Sequence, residues 1–461
     1  MKELENIKKI YFLGIGGIGM SALARLYRQA GFAVAGYDRT ESALTRQLTE
    51  EGIDVHYDDM GEAIGQLVPE DESLVVFTPA VPPDMGERAF FTRQGYIMKK
   101  RAEMLGCICN TMDLCAVAGT HGKTTTATML AHIFRSSPVN CWAFLGGISK
   151  NYGTNLLVAS ESSWCVVEAD EFDRSFLHLT PDMAIITSMD ADHLDIYGNH
   201  DAVIEAFNTF VKQIRKGGAA VIKKGLPVEP SVNPDIRFFS YSIEGDADFC
   251  AKNIKFQPDG YQFDLVHPKG RIDELKLTYP GLLNVENAVA ASALALLADL
   301  DEDAVRIGLI TYKGVARRFD IRYRSSNFLL IDDYAHHPKE LKATIKSVRA
   351  VYPEKWLTGI FQPHLYSRTR DFADEFAAAL SLLDEVVLLD IYPAREQPIP
   401  GITSAMILEK AECAAKRLVS VEQLPDAVAD FKPGIVLMMG AGDIDRLVEP
   451  VKQMLIKRGN A

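Results

Sequence analysis

The sequence lacks the features of a secreted or membrane-bound protein. Its longest largely apolar run, residues 288–298, is interrupted by Ser292 and falls well short of the roughly 18 residues needed to cross a bilayer. Glycines at positions 14, 16, 17 and 19 interrupt the first apolar stretch, where a signal peptide needs its core. We therefore expect a cytoplasmic protein that does not insert into membranes.

The chain also lacks a surplus of basic residues and a paired set of cysteines. Its 62 acidic and 49 basic residues leave a net charge of −13, which argues against a nucleic-acid binder. Cys107 and Cys109 have no second pair to complete a tetrahedral metal site. Because the seven cysteines are odd in number and scattered, we expect all of them to be reduced packing residues.

The arrangement of apolar segments indicates an α/β fold. At roughly 150 residues per domain, 461 residues predict about three domains. Short apolar runs alternate with helical patterns, which is typical of parallel α/β layers. We predict blocks at residues 1–106, 107–313 and 314–461. Turn-rich alternating segments within residues 235–278 predict a small antiparallel appendage to the middle block.

The strongest local motif is GTHGKTTT at residues 119–126, between a predicted strand at 114–118 and a helix. Amides of such a glycine-rich turn at a helix N-terminus can cradle phosphate oxygens. Lys123 would neutralise the phosphates and the Thr124 hydroxyl would reach Mg²⁺. The alternative is a tight turn with an incidental lysine. We expect Lys123 to lie in a solvated loop.

Acidic residues follow two further predicted strands. Glu168 ends the strand at 164–168 and opens the segment EADEFD, and His193 follows the strand at 184–187. Each segment alone fits a solvated acidic loop. Because Mg²⁺ takes few protein ligands beside a phosphate, the two together predict a metal–nucleotide site.

The first glycine loop is compatible with two functions. Gly14, Gly16 and Gly19 satisfy the GxGxxG pattern, and Asp38 ends the next predicted strand, where a dinucleotide fold places its ribose-binding acid. This pattern fits an NAD-dependent oxidoreductase. A glycine-bounded helix N-terminus binds any diphosphate, however, so the residues themselves predict only a diphosphate site.

The third block places polar groups after two predicted strands. DDYAHHP at residues 332–338 follows the first, and FQPHLYSR at residues 361–368 spans the end of the second. Carboxyl ends of parallel strands are where α/β proteins bind ligands. We therefore predict a third part of the site here.

The motifs GIGGIGM, GTHGKTTT, EADEFD, DHLD, GLLNVENA, GVARRF, DDYAHHP, FQPHLYSRT and GAGDI occur in an order that resembles the Mur ligase family from about residue 9 to about residue 445. The resemblance implies a Rossmann-like domain for a UDP-sugar, a central P-loop ATPase domain and a Rossmann-like C-terminal domain that binds the amino acid. It implies that the chain uses ATP and Mg²⁺ to join L-alanine to the carboxylate of UDP-N-acetylmuramate. We expect a monomer or homodimer. The reaction would pass through an acyl phosphate, in peptidoglycan precursor synthesis.

The resemblance also assigns residues to each ligand. The ATP phosphates would be bound by Gly119, Thr120, His121, Gly122, Lys123, Thr124 and Thr125, with Arg318 at the γ-phosphate. Asn284 and Asn287 would contact adenine and Asp333 the ribose. Mg²⁺ would be bound by Thr124, Glu168 and His193. The UDP-sugar would be bound by Gly14, Gly16, Gly17, Gly19 and Asp38. The amino acid would be bound by Tyr334, His336, His364 and Arg368, and either His336 or His337 would assist amine deprotonation.

Three positions depart from the family pattern: Leu283 stands where histidine is common, Leu365 where arginine is common and Phe172 where serine is common. Three alternatives stay open at this point. A related ligase attaches a recycled tripeptide to the same sugar nucleotide, an NAD-dependent oxidoreductase would use only the first glycine loop, and a nucleotide switch would use only the P-loop. The choice among alanine, glycine and serine is also open.

Overall fold

A computed structural model describes residues 6–191, 194–257, 260–394 and 396–459. The chain divides into two compact units. The first comprises Met1–Asn253, Phe263–Leu275 and Glu286–Tyr312, and the second comprises Ile254–Gln262, Lys276–Val285 and Lys313–Ala461. Within the described ranges, no helix is both long and apolar enough to cross a bilayer.

The first sheet is fully parallel. Its strands are β1 (Lys9–Leu13), β2 (Ala33–Tyr37), β3 (Asp54–His56), β4 (Ser73–Phe77) and β5 (Ile97–Lys100), in the order β3-β2-β1-β4-β5. The helices are α1 (Ile18–Gln29), α2 (Ala43–Glu50), α3 (Gly86–Gln94) and α4 (Arg101–Cys109). The order reverses at β1, so the glycine loop that follows β1 lies at the switch point where such sheets bind ligands.

The central sheet has ten strands among the described residues. They are β6 (Asp113–Ala118), β7 (Trp142–Ser149), β8 (Thr154–Leu157), β9 (Trp164–Glu168), β10 (Met183–Ile186), β11 (Ala219–Lys223), β12 (Arg237–Ser242), β13 (Phe249–Gln257), β14 (Gly260–His267) and β15 (Gly270–Leu277). Their order is β15-β14-β13-β12-β11-β10-β6-β9-β7-β8. The accompanying helices are α5 (Lys123–Arg135), α6 (Leu194–Tyr197), α7 (His200–Lys212), α8 (Leu282–Leu297) and α9 (Glu302–Ile310). Strand β12 pairs in parallel with both β11 and β13, so an antiparallel appendage can begin only at β13, later than expected.

The third sheet belongs to the second unit. Its strands are β16 (Asp320–Arg324), β17 (Phe328–Asp333), β18 (Leu357–Phe361), β19 (Glu385–Leu388), β20 (Ala415–Leu418) and β21 (Gly434–Met439), in the order β16-β17-β21-β18-β19-β20. Its helices are α10 (Pro338–Val351), α11 (Tyr366–Asp371), α12 (Ala373–Leu380), α13 (Ala405–Lys410), α14 (Leu424–Ala427) and α15 (Asp445–Gly459). Only β16 runs antiparallel, against β17. The predicted α/β class with three sheets is confirmed.

Buried apolar residues join the first two sheets into one core. Phe12 and Val76 of the first sheet belong to the same hydrophobic cluster as Ala116 and Val167 of the central sheet. Parallel strands covered on both faces read as continuous apolar runs, which explains why their positions could be predicted. The seven cysteines form no disulfide, as expected, although Cys107 is exposed rather than packed.

The helices differ in whether a side chain at their N-terminus accepts a hydrogen bond from a backbone amide of the first turn. Side chains of Ser42, Asn199 and Asp301 cap α2, α7 and α9 by accepting a hydrogen bond from a backbone amide. In contrast, α1 and α5 begin after Gly17 and Gly122 with no side-chain cap. Uncapped first-turn amides can receive an anion, and these two helices follow the two glycine loops singled out above.

Candidate active site

The phosphate loop connects β6 to α5 through two glycines with positive φ. Gly119 has φ 140° and Gly122 has φ 82°. A Cβ on Gly119 would overlap the Thr187 hydroxyl, and one on Gly122 would lie 3.1 Å from Asn287 Oδ1. Glycine is therefore required at both positions by backbone conformation, and at Gly119 also by space.

Side chains after β10 hold the same loop. The Thr120 and Ser188 hydroxyls lie 2.9 Å apart, and the His121 amide donates to Ser188 Oγ at 2.7 Å. The His121 ring lies 3.4 Å from the Asp190 carboxylate. Three residues that sequence reasoning did not assign, Thr187, Ser188 and Asp190, thus shape the loop; a run of polar residues directly after a predicted strand was their only signal.

Lys123 does not lie in a solvated loop, and that expectation is wrong. Its ammonium donates to Gly119 O at 2.6 Å and lies 2.7 Å from the carboxylate of Glu171, which is 1% exposed. Burial lowers the pKa of Lys123, but the carboxylates of Glu171, Asp170 and Glu168 outweigh burial and raise it above its usual range. The lysine is therefore charged in the folded protein, and Glu171 is a site residue that the sequence did not distinguish from its acidic neighbours.

Two oxygen donors of the predicted magnesium site lie together. Thr124 Oγ1 donates to Glu168 Oε1 at 2.9 Å, and Glu168 Oε2 accepts from the Gly146 amide at 2.9 Å. His193, the third predicted ligand, lies outside the described residues. In the described ranges no cluster of three or more histidine, cysteine or acidic residues could hold a metal by itself. One hydroxyl and one carboxylate suit a hard cation such as Mg²⁺, which takes its other ligands from phosphate and water.

The remaining predicted nucleotide-binding residues are placed as follows. Asn287 Oδ1 accepts from Thr126 Oγ1 at 3.1 Å, on the phosphate-loop helix. The Thr125 carbonyl accepts from Tyr312 at 3.3 Å. Asn284 donates to Pro280 O, at the start of its own helix. The structure thus brings Asn287 to the phosphate loop.

In the first glycine loop, Asp38 orders the backbone. Its Oδ2 accepts from the Gly16 amide at 2.8 Å, and the Gly14 amide donates to Tyr37 O at 2.8 Å. A Cβ on Gly16 would fall 2.8 Å from the Asp38 carboxylate. The acid that sequence reasoning assigned to the ligand therefore also holds the loop in shape.

Arg101 is a further residue that sequence reasoning missed. A Cβ on Gly19 would lie 2.6 Å from its guanidinium, and that guanidinium lies 3.3 Å from Asp170. Arg101 begins α4 directly after β5, at the carboxyl edge of the first sheet. It places a positive charge beside the first turn of α1, and no predicted strand or motif in the sequence marked its position.

In the second unit, Asp333 organises the backbone around Arg318. Its carboxylate accepts from the Phe319 amide at 2.7 Å and from the Ala335 amide at 2.8 Å. The Arg318 guanidinium lies 5.0 Å from the Tyr334 ring centroid and 3.9 Å from Glu340. Burial raises the pKa of Asp333, an effect that Arg318 and the two amides oppose.

The two candidate bases, His336 and His337, differ in the hydrogen-bond partners of their rings. His336 Nδ1 lies 3.0 Å from Tyr334 O and 3.3 Å from Glu340 Oε2, and two acceptors at this distance favour a proton on Nδ1. His337 begins α10 as its N-cap, and its Nδ1 accepts from the Lys339 amide at 3.4 Å. His337 is 4% exposed and packs on Phe372. The geometry favours His336 as the base.

Aromatic rings surround His336. Its centroid lies 5.3 Å from that of Tyr334 and 5.8 Å from that of His364, and His364 stacks on Tyr392. Arg368 lies on α11, whose N-cap is Leu365 with φ 72°. That conformation is strained for leucine, and the Leu365 side chain is buried.

Arg317 lies next to a cluster of buried acidic side chains. Asp320 and Asp332 are paired across β16 and β17, and Arg317 Nε lies 3.7 Å from Asp332 Oδ2. Burial raises the pKa of Asp332 to about 7, Arg317 opposes this, and the neighbouring Asp333 and Asp320 add to it. Arg317, at φ 62°, also donates to Gly440 O at 2.6 Å.

The chain belongs to the Mur ligase family, whose members are ATP-dependent ligases. Residues 9–112 match the catalytic domain of the Mur ligase family, residues 117–295 the Mur ligase middle domain and residues 317–442 the Mur ligase glutamate ligase domain. Two curated relatives, from Parabacteroides distasonis and Porphyromonas gingivalis, are named UDP-N-acetylmuramate–L-alanine ligase.

The first relative is 50% identical and the match covers 99% of both chains; the second is 52% identical over 97% of this chain and 99% of the relative. A crystal structure of UDP-N-acetylmuramate–alanine ligase from Thermotoga maritima is 27% identical, with a TM-score of 0.81 over 98% of this chain and 99% of that one. The similarity to the two curated relatives and the similarity to the crystal structure each extend over nearly the whole chain.

Replacing Lys123 with alanine should reduce both activity and stability. Loss of a preorganised charge at the phosphates should lower kcat by about 10²–10³-fold. Because the Glu171 carboxylate would remain buried without the charge of Lys123, the free energy of unfolding should fall by about 3 kcal/mol. Steady-state kinetics and thermal unfolding measure the two effects.

The double variant Lys123→Ala/Glu171→Gln is the control. Removing the uncompensated carboxylate should restore most of the stability and none of the activity. Ligase activity of Lys123→Ala within a few-fold of the parent would contradict the assignment of this loop to ATP.

Replacing Asp332 with asparagine should change how stability depends on pH. An acid whose pKa is raised to about 7 by folding stabilises the folded state fully below its unfolded pKa, and this stabilisation is lost as pH rises through 7. Asparagine resembles the protonated acid at every pH. The Tm of Asp332→Asn minus that of the parent should therefore increase from pH 5 to pH 8.

The exposed Asp374, in the same unit, provides the comparison, and Asp374→Asn should show a Tm difference that stays constant with pH. A flat difference for Asp332→Asn as well would show that Asp332 is already ionised at pH 5.

Proposed function

We propose that this chain is an ATP-dependent ligase that joins L-alanine to the carboxylate of UDP-N-acetylmuramate, releasing ADP and phosphate. The observation that carries the proposal is the identity of 50% and 52%, over nearly the whole chain, with two curated ligases of that activity. The phosphate loop, with Lys123 charged and α5 uncapped, supports the use of ATP. An oxidoreductase would leave this loop without a role.

Mg²⁺ fits the oxygen donors of Thr124 and Glu168, with His193 as a proposed further ligand. When bound there, it would neutralise negative charge on the terminal phosphates. The Thr124–Glu168 hydrogen bond already places the two oxygens 2.9 Å apart, so little reorganisation of these side chains is needed.

The first chemical step is activation of the sugar carboxylate. A carboxylate is a poor electrophile, so one of its oxygens attacks the γ-phosphorus of ATP and ADP leaves, giving an acyl phosphate. Lys123 and Arg318 stabilise the charge on the migrating phosphoryl group, because positioning and electrostatics carry most of phosphoryl transfer. Asn284 and Asn287 are proposed to bind the adenine, and Asp333 the ribose.

The second step is attack by the amine of L-alanine on the acyl carbon, which expels phosphate. The attacking amine must lose a proton, and Nε2 of His336 is the proposed acceptor because Tyr334 O and Glu340 favour a proton on Nδ1. Tyr334, His364 and Arg368 are proposed to bind the amino acid.

The UDP-sugar is proposed to bind the loop of Gly14, Gly16, Gly17 and Gly19, with Asp38 near the uridine. The uncapped amides at the start of α1 and the guanidinium of Arg101 support this assignment. We propose the domain boundaries 1–106, 107–313 and 314–461 and a cytoplasmic location, where the nucleotide substrates are found. A monomer or homodimer is expected.

A substrate panel tests the proposed function directly. Purified protein with ATP and Mg²⁺ should release phosphate only when both UDP-N-acetylmuramate and L-alanine are present. Glycine, L-serine and the recycled tripeptide of the murein stem serve as competing acceptors. Faster turnover with the tripeptide would assign the related ligase activity, and phosphate release without either substrate would indicate a nucleotide switch.

Variants of the two adjacent histidines should separate a base from a cap. His336→Gln should lower kcat by about 10²-fold or more, the usual contribution of a general base, with little effect on Tm. His337→Ala should lower stability by about 1 kcal/mol, the typical value of an N-cap, and should retain most of kcat.

The reverse pattern, with kcat lost in His337→Ala and kept in His336→Gln, would show that the proton acceptor is misassigned. Steady-state kinetics at saturating ATP and thermal unfolding provide both readouts.

A further inference from the structure

The first turn of α1 is held from the central sheet by a fully buried amide. Asn155 lies on β8 and is 0% exposed. Its Nδ2 donates to Ile18 O at 2.5 Å and to Ser21 Oγ at 3.1 Å. Both acceptors lie in the first turn of α1, directly after the glycine loop. A residue of the central block therefore contacts the helix end that is proposed to bind the sugar nucleotide.

The same amide also fixes a buried charge. Asn155 Oδ1 accepts from Arg25 Nη1 at 2.5 Å, and Arg25 is 4% exposed. The other side of the guanidinium bonds to both oxygens of Glu51, at 2.7 and 3.0 Å. Because a bidentate ion pair has a fixed geometry, Arg25 cannot move without breaking it. Asn155 is thus anchored at both its donor and its acceptor atoms.

Strand β8 is connected to the proposed magnesium site through its neighbour β7. The two strands pair antiparallel, and Gly146 of β7 donates to Glu168 Oε2 at 2.9 Å. A Cβ on Gly146 would overlap the Glu168 carboxylate, so the approach is close. One hairpin therefore contacts both the Glu168 carboxylate and the first turn of α1.

We propose that Asn155 is a positioning residue for the UDP-sugar site and acts by setting the direction of the first turn of α1. The proposal rests on the proposed function, since it requires the loop at residues 14–19 to bind the diphosphate. Asn155 is buried and reaches the site only through Ile18 and Ser21. The amides of Ile18 and Gly19 must point at the diphosphate oxygens, and small displacements of such groups weaken binding strongly.

Removing the amide should affect one substrate selectively. In the full-length enzyme, Asn155→Ala should raise KM for UDP-N-acetylmuramate by about 10- to 100-fold, the range expected for a displacement of order 1 Å. The KM for ATP and kcat should stay within about threefold of the parent, because the hairpin holds Glu168 through the backbone amide of Gly146 and not through the Asn155 side chain. Calorimetric titration with UDP-N-acetylmuramate should show a matching loss of affinity in the absence of turnover.

A second buried asparagine in the same unit is the matched control. Asn233 is 9% exposed and donates to Val211 O, Lys212 O and Ile214 O at 3.1, 3.3 and 3.1 Å, at the end of α7. Asn233→Ala should lower Tm about as much as Asn155→Ala and should leave both KM values unchanged. A lower Tm with unchanged KM values is the result expected for an asparagine that only stabilises the fold.

Asn155→Asp tests the acceptor and donor atoms of the Asn155 amide separately. Aspartate still accepts from Arg25 but cannot donate to Ile18 O and sets a buried carboxylate oxygen against that carbonyl, so KM for UDP-N-acetylmuramate should stay high and Tm should stay below that of the parent. The proposal is overturned if this KM stays within twofold of the parent in both variants, if kcat and both KM values change together, or if neither variant folds. Failure of the parent enzyme to release phosphate with both substrates would instead contradict the proposed function.

Discussion

The ion pair between Lys123 and Glu171 is the interaction on which the phosphate loop depends. The ammonium bonds to Gly119 O at 2.6 Å and contacts Glu171 at 2.7 Å, so one charge both closes the loop and neutralises the acidic segment after β9. Tyr197 in turn donates to Glu171 O at 2.6 Å. Because the surrounding carboxylates raise the pKa of Lys123, the charge persists when phosphate oxygens are absent. If this loop binds ATP as we propose, the triphosphate meets a preformed cation.

The fold delivers this arrangement through the carboxyl ends of parallel strands. Strands β6, β9 and β10 are close neighbours in one sheet, and the phosphate loop, Glu168 and Thr187 follow their ends. In the second unit, backbone strain is concentrated where the site residues lie, since Arg317, Phe319 and Leu365 all have positive φ. Such conformations persist only where surrounding contacts hold them, as Gly440 O and Asp333 do for Arg317 and Phe319.

The part of the site that could be predicted from the sequence is encoded by patterns within single segments of the chain. The phosphate loop needs Gly119 and Gly122 for their positive φ, and a buried parallel strand must be apolar, so both are visible in single segments. The identity of the partner of Lys123 is not local, because EADEFD offers four acids and only the three-dimensional fold buries Glu171. His336 and His337 are likewise adjacent in sequence, and only the start of α10 shows that His337 is the N-cap. Asn155 has no sequence signal, since its partners lie more than a hundred residues away.

Isotope transfer from the sugar nucleotide to the released phosphate tests the central claim most directly. If the carboxylate attacks ATP, one of its oxygens forms the new bond to phosphorus and leaves with phosphate when the amine attacks the acyl carbon. UDP-N-acetylmuramate labelled with ¹⁸O in its carboxylate should therefore yield inorganic phosphate that contains one ¹⁸O atom per molecule of peptide product. Unlabelled phosphate formed together with the ligated product would show that the carboxylate is not activated by phosphorylation, and would contradict this account.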